Sequence, residues 1–136
     1  MEHLKKRKDF LAAARARSQA RASLVVQIHD RGDTAAPRLG LTVTKKLGNA
    51  VRRNRIRRRL REAARRALEG RALVGHDYVL IGRSATADVD FAQLVADLSR
   101  AVDKLQRSAH MKDHGGAPPR QDSPVTDRQA ANGAKP

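Results

Sequence analysis

Between Lys45 and Arg66 the chain reads KKLGNAVRRNRIRRRLREAARR, eleven Lys and Arg residues in 22 positions with Glu62 as the sole acid. A stretch this charged cannot be a buried strand, and it lacks the apolar run that a membrane span needs. A helix with one narrow apolar face is the form in which it can pack, and its spacing meets that demand. At about 100° per residue, with Ile56 at zero, Ala63, Ala67, Leu60, Ala64 and Leu68 fall between about −20° and +120°, a single apolar stripe. Asn54, Arg58, Arg61 and Arg65 lie opposite, between about +140° and +200°. Arg55, Arg59 and Arg66 lie on one flank and Arg57, near about +100°, at the stripe's edge on the other. Arg53 falls inside the stripe, where an arginine needs a partner or an exit to the surface. Asn49 suits the N-cap and Gly70 the stop, so the helix is expected to end near Leu68.

The block carries a net +10 of the chain's +15. Ten like charges on one element repel one another, and a polyanion offsets that repulsion; nucleic acid is the commonest such partner. Arginine suits the task better than lysine, because its planar fork bonds two phosphate oxygens at once and stacks on bases. The helix N-terminus near Asn49 adds a partial positive charge and free N–H groups. If about 6 phosphates are neutralised, the log-log salt slope should be about −4 to −5. An anionic membrane surface would call for large apolar side chains where this helix has mostly Ala.

The 136 residues make one domain, and with three aromatic residues the core must come from Val, Leu, Ile and Ala. The absence of Cys excludes a disulfide framework, a Cys-ligated zinc and a thiol nucleophile. The basic start has no run of 7 to 15 apolar residues as a secretion signal would, so a soluble cytoplasmic protein is expected. Asp9 is a candidate cap for a short helix from Phe10 to about Ala16. Ser23 to His29 is rich in β-branched residues, and Arg38 to Thr44 alternates Leu39, Leu41 and Val43 against Arg38, Gly40, Thr42 and Thr44. Two strands joined by a short loop suggest an antiparallel pair, with a polar face on which Gly40 leaves room for a close approach. His76 to Arg83 is nearly all apolar, as a central strand should be. Asp90 to Gln106 is a second amphipathic helix, read as packing. Residues 1–107 form the expected domain; 108–136, rich in Pro, Gly and polar residues, are expected to be a disordered tail.

No constellation of a self-sufficient active site appears. There is no phosphate-binding glycine loop and no metalloprotease helix, and the acids after residue 66 show no paired spacing with a His that would suggest proton transfer. Neither catalytic residues nor metal ligands are expected in the protein itself.

The string RLGLTVTKKLGNAVRRNRIRRRLREAAR closely resembles the signature of the bacterial ribonuclease P protein subunit, with Arg53, Asn54 and Arg55 as its Arg-Asn-Arg motif. The likeness extends to Lys6–Phe10 before it and Asp77–Arg83 after it, over about residues 4–106. It implies an α+β two-layer sandwich similar to the second domain of ribosomal protein S5, a small mixed sheet with a left-handed β-α-β crossover that carries the Arg-Asn-Arg helix. It implies a subunit of a ribonucleoprotein endonuclease in which an RNA, with Mg²⁺, hydrolyses one phosphodiester and removes the 5′ leader of precursor tRNA. The RNA-binding set is then Lys45, Lys46, Asn49, Arg52, Arg53, Asn54, Arg55, Arg58, Arg61 and Arg65. A cleft for the leader would involve Phe10, Arg15, Arg17, Arg38, Thr42 and Thr44. The family's second cleft aromatic is Ala14 here, and the aromatic of its first strand corresponds to Ile28, so charge should matter more than stacking. No obligatory protein partner is implied. A structural, ribosomal-type RNA-binding protein is the alternative from another class.

Overall fold

The computed structural model describes the backbone of residues 1–113 and the side chains of residues 1–107. Its elements are β1 (Glu2–His3), α1 (Arg7–Arg15), β2 (Arg17–Ala20), β3 (Leu24–Asp30), β4 (Arg38–Thr42), α2 (Ala50–Leu68), β5 (His76–Gly82) and α3 (Phe91–Asp113), with short 3-10 turns at Lys45–Leu47 and Ser84–Ala87. The strands form one mixed sheet in the order β1-β4-β5-β3-β2. β5 runs parallel to β4 and antiparallel to β3.

The sheet alternates as the pleat requires. Tyr78 and Leu80 of β5 join Val26, Ile28 and Leu39 in the main core, against Ile56, Leu60 and Leu68 of α2 and Leu94, Leu98 and Val102 of α3. Val79 and Ile81 face the other way, toward Leu4, Phe10 and Ala13. Helices therefore cover both faces, and α1 adds a third, partial layer to the expected two. α2 approaches β5 closely because Gly82 has no side chain: a Cβ there would lie 2.8 Å from Ile56. Each buried Ile or Leu of the α2 stripe contributes about 1.5–3 kcal/mol, while each like-charge pair at i,i+4 costs about 0.2–0.5 kcal/mol. Burial wins, and α2 docks although its surface repels itself.

Four expectations need correction. β3 and β4 are not a pair, because β5, the most apolar strand, lies between them and shields both of its faces. α1 begins at Arg7 with Lys6 at its N-cap, and Asp9 sits in the first turn, where its charge still favours the helix N-terminus. β1 and β2 lie in stretches expected to be lead-in and helix end; two and four residues, mostly polar, carry too little periodicity to read. α3 runs on to Asp113, past its expected end at Gln106. The rest of the expected tail lies outside the described residues.

Candidate nucleic-acid interface

α2 starts where Asn49 accepts a hydrogen bond from the backbone N–H of Arg52 at 2.9 Å. Before it, the 3-10 turn leaves Lys45 and Lys46 exposed. Along the outward face Asn54, Arg58, Arg61 and Arg65 are all exposed, as the helical periodicity predicts. Arg58 and Arg61 have no partner among the described residues. Arg65 pairs with Glu62, whose carboxyl the hydrogen bonds from Arg65 and Arg66 hold below the usual carboxylate range. Arg53, the residue whose angle pointed inward, exits by donating to the Gly48 carbonyl at 3.1 Å.

The α3-side flank of α2 is organised differently. Arg52 donates to the Leu47 carbonyl at 2.9 Å and to Ser84, and pairs with Asp88 at 3.3 Å. Arg55 donates to the Ala87 carbonyl at 2.9 Å. Arg59 donates to the Val89 carbonyl. Phe91 lies beneath two guanidinium groups, those of Arg59 at 5.8 Å and Arg66 at 5.2 Å from the ring centroid. Arg52 and Arg55 thus hold the helix to the 84–89 segment as well as carrying charge. Nothing in the sequence marks this, because the acceptors are backbone carbonyls that every residue has. Arg59, Arg66 and Phe91 were not among the expected site residues.

The second expected site lies on the opposite face of the sheet, and the structure brings only part of it together. Phe10 packs over Gly40, where a Cβ would meet the ring at 2.7 Å. Arg38 and Thr42 flank Gly40 on the same face of β4, and Thr44 is exposed just beyond the strand. Arg15 is exposed in the last turn of α1. Arg17 belongs elsewhere: it pairs across the sheet with Ile28, on the α2/α3 face, and donates to the Leu105 carbonyl of α3. Ile28 is likewise buried in the main core, and Val25, Gln27 and His29 are the β3 residues that share the Phe10 face.

Arg38 is committed to structure. It donates twice to Asp77, Nε to Oδ1 and Nη2 to Oδ2, both at 2.8 Å, and pairs with Asp9 at 3.5 Å. Arg31 also donates to Asp77, and it gathers the 31–37 loop through the Ala35 and Ala36 carbonyls. Burial pushes the Asp77 carboxyl up, yet the hydrogen bonds from Arg38 and Arg31 outweigh that and hold it below its ordinary value. Beside Arg38 a polar groove opens, lined also by Lys5, Lys6, Lys8 and Asp9. Among the described residues no helix is long and apolar enough to cross a membrane, and no cluster of His, Cys, Asp and Glu could hold a metal ion. Cationic side chains thus stand on both faces of the sheet.

Comparison with known proteins agrees with this anatomy. The family model described as Ribonuclease P matches residues 1–106. The chain is 54% identical over 105 residues to the ribonuclease P protein component of Ruegeria pomeroyi, a match covering 75% of this chain and 84% of that one. Against the component of Caulobacter vibrioides the identity is 42%, over 91% of each chain. Among solved structures, the RNase P protein of Staphylococcus aureus matches with a TM-score of 0.65 at 29% identity, covering 77% of this chain and 95% of that one. That of Thermotoga maritima matches at 0.62 and 33% identity, covering 79% and 97%. The family match takes in every strand and all but the end of α3, so the chain belongs to the Ribonuclease P family and is a protein component of the holoenzyme of that name.

Proposed function

We propose that this subunit docks on the RNA of ribonuclease P through the outward face of α2 and holds the 5′ leader of precursor tRNA against the α1 face of the sheet. The observation that carries the reading is the outward row of Arg58 and Arg61, which are exposed and unpartnered among the described residues, continued by Lys45 and Lys46. Cations left unpaired on a rigid helix are available to phosphates at little cost in reorganisation. On the other face, Phe10 offers a ring on which a leader base would stack, worth about 1–3 kcal/mol. With Arg38 held by Asp77, the nearby charge comes from Lys6 and Lys8 along the groove, and Arg15 carries more at the far end of α1.

We assign hydrolysis of the phosphodiester, and the Mg²⁺ it requires, to the RNA, as the family resemblance implies. The protein neutralises phosphate repulsion between the RNA and its substrate and orients the leader. The parallel β4 and β5 joined through α2 support an S5-like fold, for which the family resemblance implies a left-handed crossover. The setting is the cytoplasm, where precursor tRNA is made.

Reconstitution tests the proposal. Added to a ribonuclease P RNA at low Mg²⁺, the protein is expected to raise the rate of precursor-tRNA cleavage, with a larger effect on substrates with long leaders. Binding without stimulation would overturn it in favour of a structural, ribosomal-type role.

A further inference from the structure

Three arginines of α2, Arg52, Arg59 and Arg66, are spaced seven apart and so share one line along the helix. All three meet the short segment from Ser84 to Phe91: Arg52 on Ser84 and Asp88, Arg59 on the Val89 carbonyl and the Phe91 ring, and Arg66 on the same ring. We infer that the RNA-contacting surface extends from the outward face of α2 onto this flank, with Phe91 as the positioning residue that holds Arg66 and Arg59 ready for the phosphate backbone. The inference rests on the reading that α2 docks on RNA.

The chemistry of the guanidinium favours it. Stacking on an aromatic ring uses the flat face of the group, while its N–H donors lie in the plane and stay free for phosphate oxygens. Arg66 is exposed and donates Nε to Glu62 at 3.2 Å, which leaves both terminal nitrogens without a partner among the described residues. Arg59 is held by the Val89 carbonyl and the Phe91 ring. Arg58 and Arg61 have no such support and must lose their rotamer freedom on binding, whereas Arg66 and Arg59 are already ordered. Phe91 is half-buried at the start of α3, where simple packing would be served equally by Leu. What Leu lacks is the negative face of the ring.

The test uses the full chain and ribonuclease P RNA, with affinity measured across a series of salt concentrations. Phe91→Leu is expected to weaken binding about three- to fivefold, as befits the loss of exposed cation–π contacts, with the salt slope unchanged, and Phe91→Tyr to bind as the parent does. Arg66→Lys keeps the charge but loses the stacked fork, and should weaken binding by a similar factor. In an Arg59→Ala, Arg66→Ala background, Phe91→Leu should have no further effect. Parental affinity for R66K, or an equal loss from F91L with and without the two arginines, overturns the inference even if F91L is poorly folded. Arg58→Ala with Arg61→Ala is the control for the underlying reading. If that pair weakens binding while R66K and F91L do not, only the inference fails; if it too binds as the parent does, the docking face itself is wrong.

Discussion

Asp77 is 1% exposed yet carries a charge, and it does so because Arg38 and Arg31 both donate to it. Its folded pKa lies below the unfolded value, so the stability it contributes is present above about pH 4 and is lost as the pH falls through the folded value. Urea unfolding measured from pH 7 downward should show stability dropping below about pH 4. Asp77→Asn should lose about 1–3 kcal/mol at neutral pH, since the half-buried Arg38 and Arg31 lose their shared charged acceptor, and should flatten the acid limb; an acid limb as steep as the parent's would refute the assignment. Two residues beyond Arg38 on β4, Gly40 sets the position of Phe10. Gly40→Ala would push a methyl group into the ring and Leu4, costing about 1–3 kcal/mol. It should weaken binding of long-leader substrates as Phe10→Ala does, while affinity for the RNA alone stays put. Phe10 and Gly40 were legible as residues with room between them. The fate of Arg38 was not, because its partner lies 39 residues away and leaves no local pattern.

For α2 the helical period was enough to find the apolar stripe, the outward face and the Asn49 cap, since each depends only on spacing within the element. The same period placed Arg52, Arg55 and Arg59 on or near the surface without revealing that they bond to the carbonyls of Ser84, Ala87 and Val89. That difference yields a prediction. Replacing Arg58 and Arg61 together by Ala should leave the thermal midpoint within about 1 °C of the parent, because neither holds the helix to anything. It should also lower the magnitude of the log-log salt slope for RNA binding by about 1.5. Replacing Arg52 and Arg55 should instead lower the midpoint, and calorimetry distinguishes the two pairs. Strands β1 and β2 stayed hidden because short polar strands are recognised only by the neighbour that pairs with them.

Taken whole, the molecule carries cationic side chains on opposite faces of one sheet, those of α2 on one and Lys5, Lys6 and Lys8 beside Arg38 on the other. A net charge of +15 acts at a distance as well as in contact. RNA affinity should fall with salt at a log-log slope of about −4 to −5; a slope near −1 in filter-binding titrations would mean that α2 meets the RNA through few of its arginines. The concentration of charge was legible in the sequence alone, from the eleven basic residues between Lys45 and Arg66. The order of the strands was not: chain order favours joining β3 to β4, and only the need to cover both faces of β5 argues otherwise.

The central place of β5 also governs how the chain comes together in time. β3 and β4 are made early, but neither gains its main partner until residues 76–82 have been synthesised. Pairings across such long separations form slowly. A nascent chain therefore displays its most cationic helix before the sheet beneath it exists, when the anions that surround a ribosome can neutralise it as it folds.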